Sequence, residues 1–172
     1  MKKLLSHYLG EIVFGGIDGI VTTFAVIAAS AGAGLSSGVV IVLGFSNLIA
    51  DGFSMAVSSY LAEKTKNDQN RTGSHNPVGV GIATFGAFLA VGVLPVSVYL
   101  IDYIANWETE ANQLFLRACI VAAIAFAGIG FAKSFESNDS KIRSTLETLI
   151  LGGIASLIAF VLGDLLEQVI LN

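Results

Sequence analysis

Five long apolar stretches occupy most of this chain of 172 residues. A helix that crosses a bilayer needs about 20 mostly apolar residues, and each stretch has that length. Only 13% of the residues are charged, whereas about 25% is usual in a soluble domain. The sequence therefore predicts an all-α integral membrane protein, with one transmembrane domain over residues 1–172. The five predicted spans are approximately Ile12–Ala33, Gly38–Tyr60, Val78–Ile101, Asn112–Ala132 and Thr148–Leu171.

The basic residues predict how these spans are oriented. Eight of the nine Lys and Arg residues fall on one side of a five-span chain, and Arg117 is the exception. Cytoplasmic segments retain positive charge, so we expect the N-terminus in the cytoplasm and the C-terminus outside. The basic residues form no continuous stripe, which argues against nucleic acid as a partner. The eight are Lys2, Lys3, Lys64, Lys66, Arg71, Lys133, Lys141 and Arg143.

Two aspartates, Asp18 and Asp51, interrupt the first two spans. An aspartate at the centre of a membrane helix costs about 2.5 to 3.5 kcal/mol, and each Ile, Leu, Phe or Val returns only about 0.3 to 0.6 kcal/mol. The apolar residues of the first span can just offset one aspartate. A carboxylate at this depth indicates a function. The alternative is a structural role, as a protonated or hydrogen-bonded carboxyl buried between helices.

Polar residues form one stripe on each of these two spans. Successive members are three or four residues apart, and this spacing places them on one helix face. Because the connection between the spans is short, the helices are antiparallel. Depth counted from their cytoplasmic ends near Glu11 and Ala62, at about 1.5 Å per residue, places Asp18 level with Met55 and Thr22 level with Asp51. We therefore expect a polar cleft, with Glu63 at its cytoplasmic mouth. The stripes are Glu11, Gly15, Asp18 and Thr22 on the first span, and Asn47, Asp51 and Met55 on the second.

The donors in this predicted cleft suit a divalent transition metal. Carboxylate and amide oxygens alone favour Mg²⁺ or Ca²⁺, whereas a thioether sulfur is tolerated by Fe²⁺, Mn²⁺, Co²⁺ or Zn²⁺. Met55 taken alone also fits an ordinary core residue. Gly15 and Gly19 form a small-xxx-small pair that allows another helix backbone to approach near Asp18.

Two motifs carry a resemblance to a known family. The stretches Glu11–Val26 (EIVFGGIDGIVTTFAV) and Gly44–Leu61 (GFSNLIADGFSMAVSSYL) resemble the vacuolar iron transporter family, which includes the yeast calcium-cross-complementer and nodulin-21-like proteins. The resemblance implies a five-helix protomer and a homodimer with the ion path at the subunit interface. It also implies proton-coupled export of Fe²⁺, often also Mn²⁺, from the cytosol, with no permanently bound cofactor.

The resemblance assigns roles residue by residue. It makes Asp18 and Met55 intramembrane metal ligands, places Glu11 at the cytosolic entrance, and gives Asp51 the acidic position one turn before the methionine. The better-known members insert a glutamate-rich helical metal-binding domain between helices two and three, where this chain has only Leu61–Pro77.

No other group in this chain is predicted to replace the inserted domain. Glu63, Asp68 and His75 are few and scattered, and His7 is interpreted as an interfacial residue. Near the opposite membrane surface, Arg117 and Asp164 either pair with each other or each face the lipid headgroups.

Other functions fit the sequence less well. A divalent-metal channel would show flux without proton coupling, and a non-metal proton-coupled transporter would leave Met55 without a role. An intramembrane aspartyl protease carries Gly-x-Gly-Asp, whereas this chain reads Gly15-Gly16-Ile17-Asp18, so we do not expect an enzyme. A cleavable signal peptide would not carry Glu11 and Asp18 in its apolar core. We expect a prokaryotic plasma (inner) membrane, or a vacuolar-type membrane if the source is eukaryotic.

Overall fold

The structure is a computed structural model that describes residues 7–69, 75–135 and 140–170. These residues form five α-helices, each long and apolar enough to cross a membrane. The prediction of an all-α protein with five spans is confirmed. Four residues used in the predictions of span and orientation, Lys2, Lys3, Arg71 and Leu171, lie outside the described residues. The helices are α1 (Leu9–Gly32), α2 (Ser37–Asp68), α3 (Pro77–Ala105), α4 (Ala111–Lys133) and α5 (Lys141–Ile170).

Two helices extend about two turns beyond their predicted spans. Helix α2 continues from Tyr60 to Asp68, and α5 begins at Lys141 rather than at Thr148. Hydropathy marks only the length that lies among lipid tails, whereas Glu, Lys and Arg favour a helix in water as well. The charged residues of these two extensions therefore prolong the helices beyond the apolar span.

Helix α3 packs against both α1 and α2 more extensively than these two pack against each other. Gly15 and Gly19 on α1 face the backbone of Thr84 and Phe88 on α3, so closely that a Cβ at either glycine would overlap it. The small-xxx-small pair beside Asp18 therefore brings α1 against α3 and not against α2.

The close contacts also define the directions of the helices. Gly130 on α4 faces Thr148 on α5, and Gly152 further along α5 faces Phe126, so α4 and α5 are antiparallel. Near the start of α1 Gly16 faces Ile129, and further along α1 Phe24 stacks on Phe115, so α1 is antiparallel to α4 and parallel to α5. Helices α1, α3 and α5 begin at one end of the bundle, where α2 and α4 end. We call this end the N-terminal face and the opposite end the C-terminal face.

The buried apolar side chains of the core come from α1, α2, α3 and α4. Among the fully buried residues are Ile20 and Ile27 on α1, Phe88 and Val96 on α3, and Leu114 on α4. By contrast, α5 and one side of α2 expose many Leu, Ile, Val and Phe side chains. Such apolar surfaces suit lipid tails or a second membrane-embedded protein surface.

The turn between α3 and α4 holds a buried carboxylate on the C-terminal face. Asp102 is 7% exposed and accepts a hydrogen bond from the Thr109 hydroxyl. The Arg117 guanidinium donates to the same Thr109 oxygen at 3.4 Å. Asp164 instead accepts a bond from Gln168 at 3.0 Å. Arg117 and Asp164 therefore have different partners and do not pair with each other, which was one of the two predicted alternatives.

We expect Thr109→Val to destabilise the protein by about 1 to 3 kcal/mol, because the buried Asp102 carboxylate loses its hydroxyl donor. Thermal unfolding in detergent, followed by far-ultraviolet circular dichroism, measures the change. Thr65→Val is the matched control, because the exposed Thr65 hydroxyl bonds only to the Leu61 carbonyl of its own helix. Equal stability of the two variants would show that Thr109 does not support the turn.

Candidate functional site

The polar stripe of α1 is retained in the structure. Glu11 lies in the first turn of α1, and Glu11, Asp18 and Thr22 are all half-buried. The Thr22 hydroxyl donates to the Asp18 backbone carbonyl at 2.9 Å, a local bond that leaves the Asp18 carboxylate available. Glu11 is seven residues from Asp18, about 10 Å along the helix axis. Glu11 and Asp18 are therefore separate positions along one face.

The polar stripe of α2 is also half-buried. Asn47, Asp51 and Met55 follow one another at intervals of four residues, while their neighbours Phe53 and Ser54 are exposed. The Asn47 side-chain nitrogen is buried and has no hydrogen-bond partner within the described part of the chain. Since buried donors are normally satisfied, this amide is available to water, a ligand or a second protein surface.

The structure places Asp18 between the levels of Asp51 and Met55. Gly19 and Gly52 contact Phe88 of α3 from two different helices. Because α1 and α2 are antiparallel, position 18 is then level with position 53, which lies between Asp51 and Met55. In agreement with this register, the Asp18 and Asp51 carboxylates are near enough for their like charges to repel each other.

This register differs from the one predicted by counting along the helices. The prediction placed Asp18 with Met55, and Thr22 with Asp51. It counted depth from cytoplasmic ends near Glu11 and Ala62, whereas α2 continues to Asp68 and both helices pack mainly on α3. By this register the level of Asp18 along the bundle lies about 3 Å from that of Asp51 and about 3 Å from that of Met55.

A neighbouring pair of half-buried carboxylates is unfavourable when both are charged and unpaired, because the low dielectric strengthens their repulsion. A cation or a proton between them relieves that repulsion. Met55 adds a thioether sulfur close to the level of the pair, and Asn47 adds an amide one turn beyond Asp51. This donor set combines hard oxygen ligands with one soft sulfur.

Fewer acidic side chains are available near the Asp18–Asp51 pair than the sequence predicted. Across residues 7–69, 75–135 and 140–170, no three His, Cys, Asp or Glu side chains are grouped closely enough to hold a metal ion. Glu63 is buried and is already paired with Lys66 at 3.2 Å. It also accepts the His75 backbone N–H at 3.4 Å. The predicted entrance carboxylate is therefore committed to contacts within the protein.

One group of side chains was missed by the sequence reasoning. His7 and His75, the only two histidines of the chain, contact each other with ring centroids 4.2 Å apart. Tyr8 lies against both rings. Helical periodicity could not reveal this contact, because one histidine precedes α1 and the other precedes α3.

Comparisons with known proteins point to one family. Residues 9–75 and 68–164 match the model of the VIT family. The chain is 26% identical to a protein named vacuolar iron transporter from Toxoplasma gondii, over 96% of this chain and 76% of that protein. It is 24% identical to a protein of the same name from Plasmodium falciparum, over 93% of this chain and 82% of that protein.

The alignments also show where this chain is shorter. The alignment with the Toxoplasma gondii protein spans 231 positions, more than the 172 residues of this chain, so that protein has residues without a counterpart here. The two family matches meet at residues 68–75, in the connection between α2 and α3. Since together they cover well over half of the chain, this five-helix integral membrane protein belongs to the VIT family.

Proposed function

We propose that this protein exports a divalent transition metal, Fe²⁺ and also Mn²⁺, from the cytosol in exchange for protons. The observation that carries the proposal is the Asp18–Asp51 pair, two carboxylates on apolar helices that are near enough for their like charges to repel each other, with Met55 one turn from Asp51. The names of the relatives support iron as the substrate. In this proposal Asp18, Asp51 and Met55 bind the metal, Asn47 and Thr22 line its path, and Glu11 and Glu63 lie toward the entrance.

Proton coupling follows from the energetics of export. Moving one charge out against an inside-negative potential costs about 2.3 kcal/mol per 100 mV, so a divalent cation costs roughly 4.6 kcal/mol. Exchange for two inward protons cancels this electrical cost and leaves the pH gradient as the driving force. Carboxylates that bind either a metal or a proton are suited to such an exchange.

The direction of transport requires the N-terminal face to be cytosolic. The described basic residues support this orientation, because Lys64, Lys66, Lys133, Lys141 and Arg143 all belong to helix ends on that face. Positive charge is retained on the cytoplasmic side of membrane proteins. We place the protein in a prokaryotic plasma membrane, or in a vacuolar-type membrane if its source is eukaryotic.

A homodimer would complete the metal site. This chain offers two carboxylates and one thioether, whereas transition metals bound by oxygen ligands usually have about six donors. The exposed apolar side of α2 carries Phe53 and Val57 next to the polar stripe. A second copy packed on this side would bring a second Asp51 and Met55 to the same path.

The test is transport of Fe²⁺, Mn²⁺ or Zn²⁺, added outside, into proteoliposomes under an imposed pH gradient. A pH-sensitive dye follows the protons. We expect Fe²⁺ movement to require the gradient and to be accompanied by proton movement in the opposite direction. Metal flux that is independent of the pH gradient would instead identify a channel. Proton flux without any dependence on metal would identify a non-metal transporter.

We expect Met55→Leu to raise the KM for Fe²⁺ about tenfold, because leucine preserves the volume of methionine but removes the sulfur donor. Transport assays at several metal concentrations measure the change. Ile49→Leu, at an exposed position of the same helix, is the control and should leave KM unchanged. If Met55→Leu transports Fe²⁺ like wild type, Met55 is a packing residue and not a ligand.

A further inference from the structure

The two histidines meet on the N-terminal face of the bundle. The His7 and His75 ring centroids are 4.2 Å apart, and the ring planes are inclined at 75°. The Tyr8 ring lies 4.9 Å from His7 and 5.6 Å from His75. His7 is four residues before Glu11 in the chain, so the pair lies on the side from which Glu11 is approached.

The end of α2 holds His75 by its backbone. Glu63 accepts the His75 backbone N–H at 3.4 Å, and the Asn67 side-chain nitrogen donates to the His75 carbonyl at 3.2 Å. Neither bond uses the imidazole. The backbone of His75 is therefore fixed beside His7, while the ring nitrogens are not consumed by these two bonds.

A third polar atom near the pair is an acceptor without a donor. The Asn67 side-chain oxygen is buried and lacks a hydrogen-bond partner among the residues that the structure describes. Buried acceptors are normally satisfied by protein or water. Because its nitrogen is bonded to the His75 carbonyl, this amide places its free oxygen close to the His75 backbone.

The two rings meet edge to face, and a turn of the imidazoles that points one nitrogen of each to a common centre would give, with the amide oxygen, a donor set for a divalent transition metal, for which neutral imidazole is the commonest protein ligand. The described part of the chain brings no third His, Cys, Asp or Glu into this group. Water must therefore complete the coordination shell, which makes the binding weak and rapidly reversible. These properties suit a site that collects a metal and passes it on.

We propose that His7 and His75, with the Asn67 side-chain oxygen, form a low-affinity capture site for a divalent transition metal on the N-terminal face. Its role in delivering metal to Glu11 and the aspartate pair rests on the proposed transport function, whereas metal binding itself does not. Tyr8 packs against both rings and holds them in position.

Metal binding can be tested directly, because a chain with two histidines gives only two sets of imidazole signals in NMR. The full-length protein in detergent, with labelled histidine, is titrated with Zn²⁺. We expect both imidazoles to shift together with one binding curve. In His7→Gln the apparent Kd reported by His75 should rise at least about tenfold, because one of two imidazole ligands is lost.

Tyr8→Phe is the matched control, since it keeps the aromatic ring and removes only the hydroxyl, and its Zn²⁺ curve should match that of wild type. Signals that respond to Zn²⁺ independently would overturn the proposal. So would a His75 curve that is unchanged in His7→Gln. Either result would mean that the two rings merely pack together.

A transport assay distinguishes failure of the proposed capture site from failure of the proposed transport function. In proteoliposomes the double variant His7→Gln/His75→Gln should raise the KM for Fe²⁺ about fivefold, with a smaller change in maximal rate, because the Asp18–Asp51 pair is intact. An unchanged KM would overturn the capture role and leave the transport function standing. No Fe²⁺ transport by wild type would overturn the transport function, while the Zn²⁺ titration would still decide whether the site exists.

Discussion

Asp18→Asn is expected to lower Fe²⁺ transport by about a hundredfold or more, which corresponds to about 3 kcal/mol. Asparagine keeps the shape of aspartate but carries no charge and cannot exchange a proton at neutral pH. The variant therefore loses both metal binding by the carboxylate and proton exchange. The measurement is initial-rate transport in proteoliposomes, with metal and protons followed in the same vesicles.

Asp51→Asn should have a similar effect, because the Asp51 carboxylate is near enough to Asp18 for their like charges to repel each other. If the two carboxylates act as one unit, the double variant should be little worse than either single variant. Independent carboxylates would instead give losses that multiply.

Asp164→Asn provides the control for removing a charge from a membrane helix. Asp164 lies on α5 toward the C-terminal face and accepts a hydrogen bond from Gln168. Its variant should transport Fe²⁺ within about twofold of wild type, as expected for a substitution outside the site. Metal-dependent proton flux that survives unchanged in Asp18→Asn would contradict the assignment of Asp18.

Gly19→Ala is expected to destabilise the protein by about 1 to 3 kcal/mol through overpacking. A Cβ at this position would lie 2.9 Å from the Phe88 Cα and even closer to the Phe88 carbonyl oxygen. These are backbone atoms, so relief requires α1 and α3 to move apart. Thermal unfolding in detergent, monitored by circular dichroism, measures the loss.

Gly86→Ala is the matched control on the helix that Gly19 contacts. A Cβ at Gly86 would meet nothing within 4 Å, and alanine favours a helix over glycine by up to about 1 kcal/mol. The control should therefore be as stable as wild type or more stable. If Gly19→Ala also retains full stability, the close approach of α1 to α3 is not needed for the fold.

Gly19→Ala should also slow transport, because moving α1 away from α3 shifts Asp18 relative to Asp51. A loss of Fe²⁺ transport larger than the fraction of unfolded protein would support this coupling between packing and site. Transport that falls only in proportion to unfolding would contradict it.

The helices could be predicted because membrane insertion depends on local composition. About 20 apolar residues are recognisable without knowing what they contact. The extensions of α2 to Asp68 and of α5 back to Lys141 were not predicted, since a hydropathy window stops where charge begins. The bond between Arg117 and Thr109 depends on the turn between α3 and α4, which the spans do not define.

The sequence by itself determined the class of protein, its five helices, and the polar face that each of α1 and α2 presents, because hydropathy and helical periodicity are properties of neighbouring residues. Only the tertiary structure decided that Asp18 lies between the levels of Asp51 and Met55, because both helices contact Phe88 on α3. It also decided that His7 meets His75. Contacts between distant segments depend on how the helices pack, and no local pattern in the chain specifies that packing.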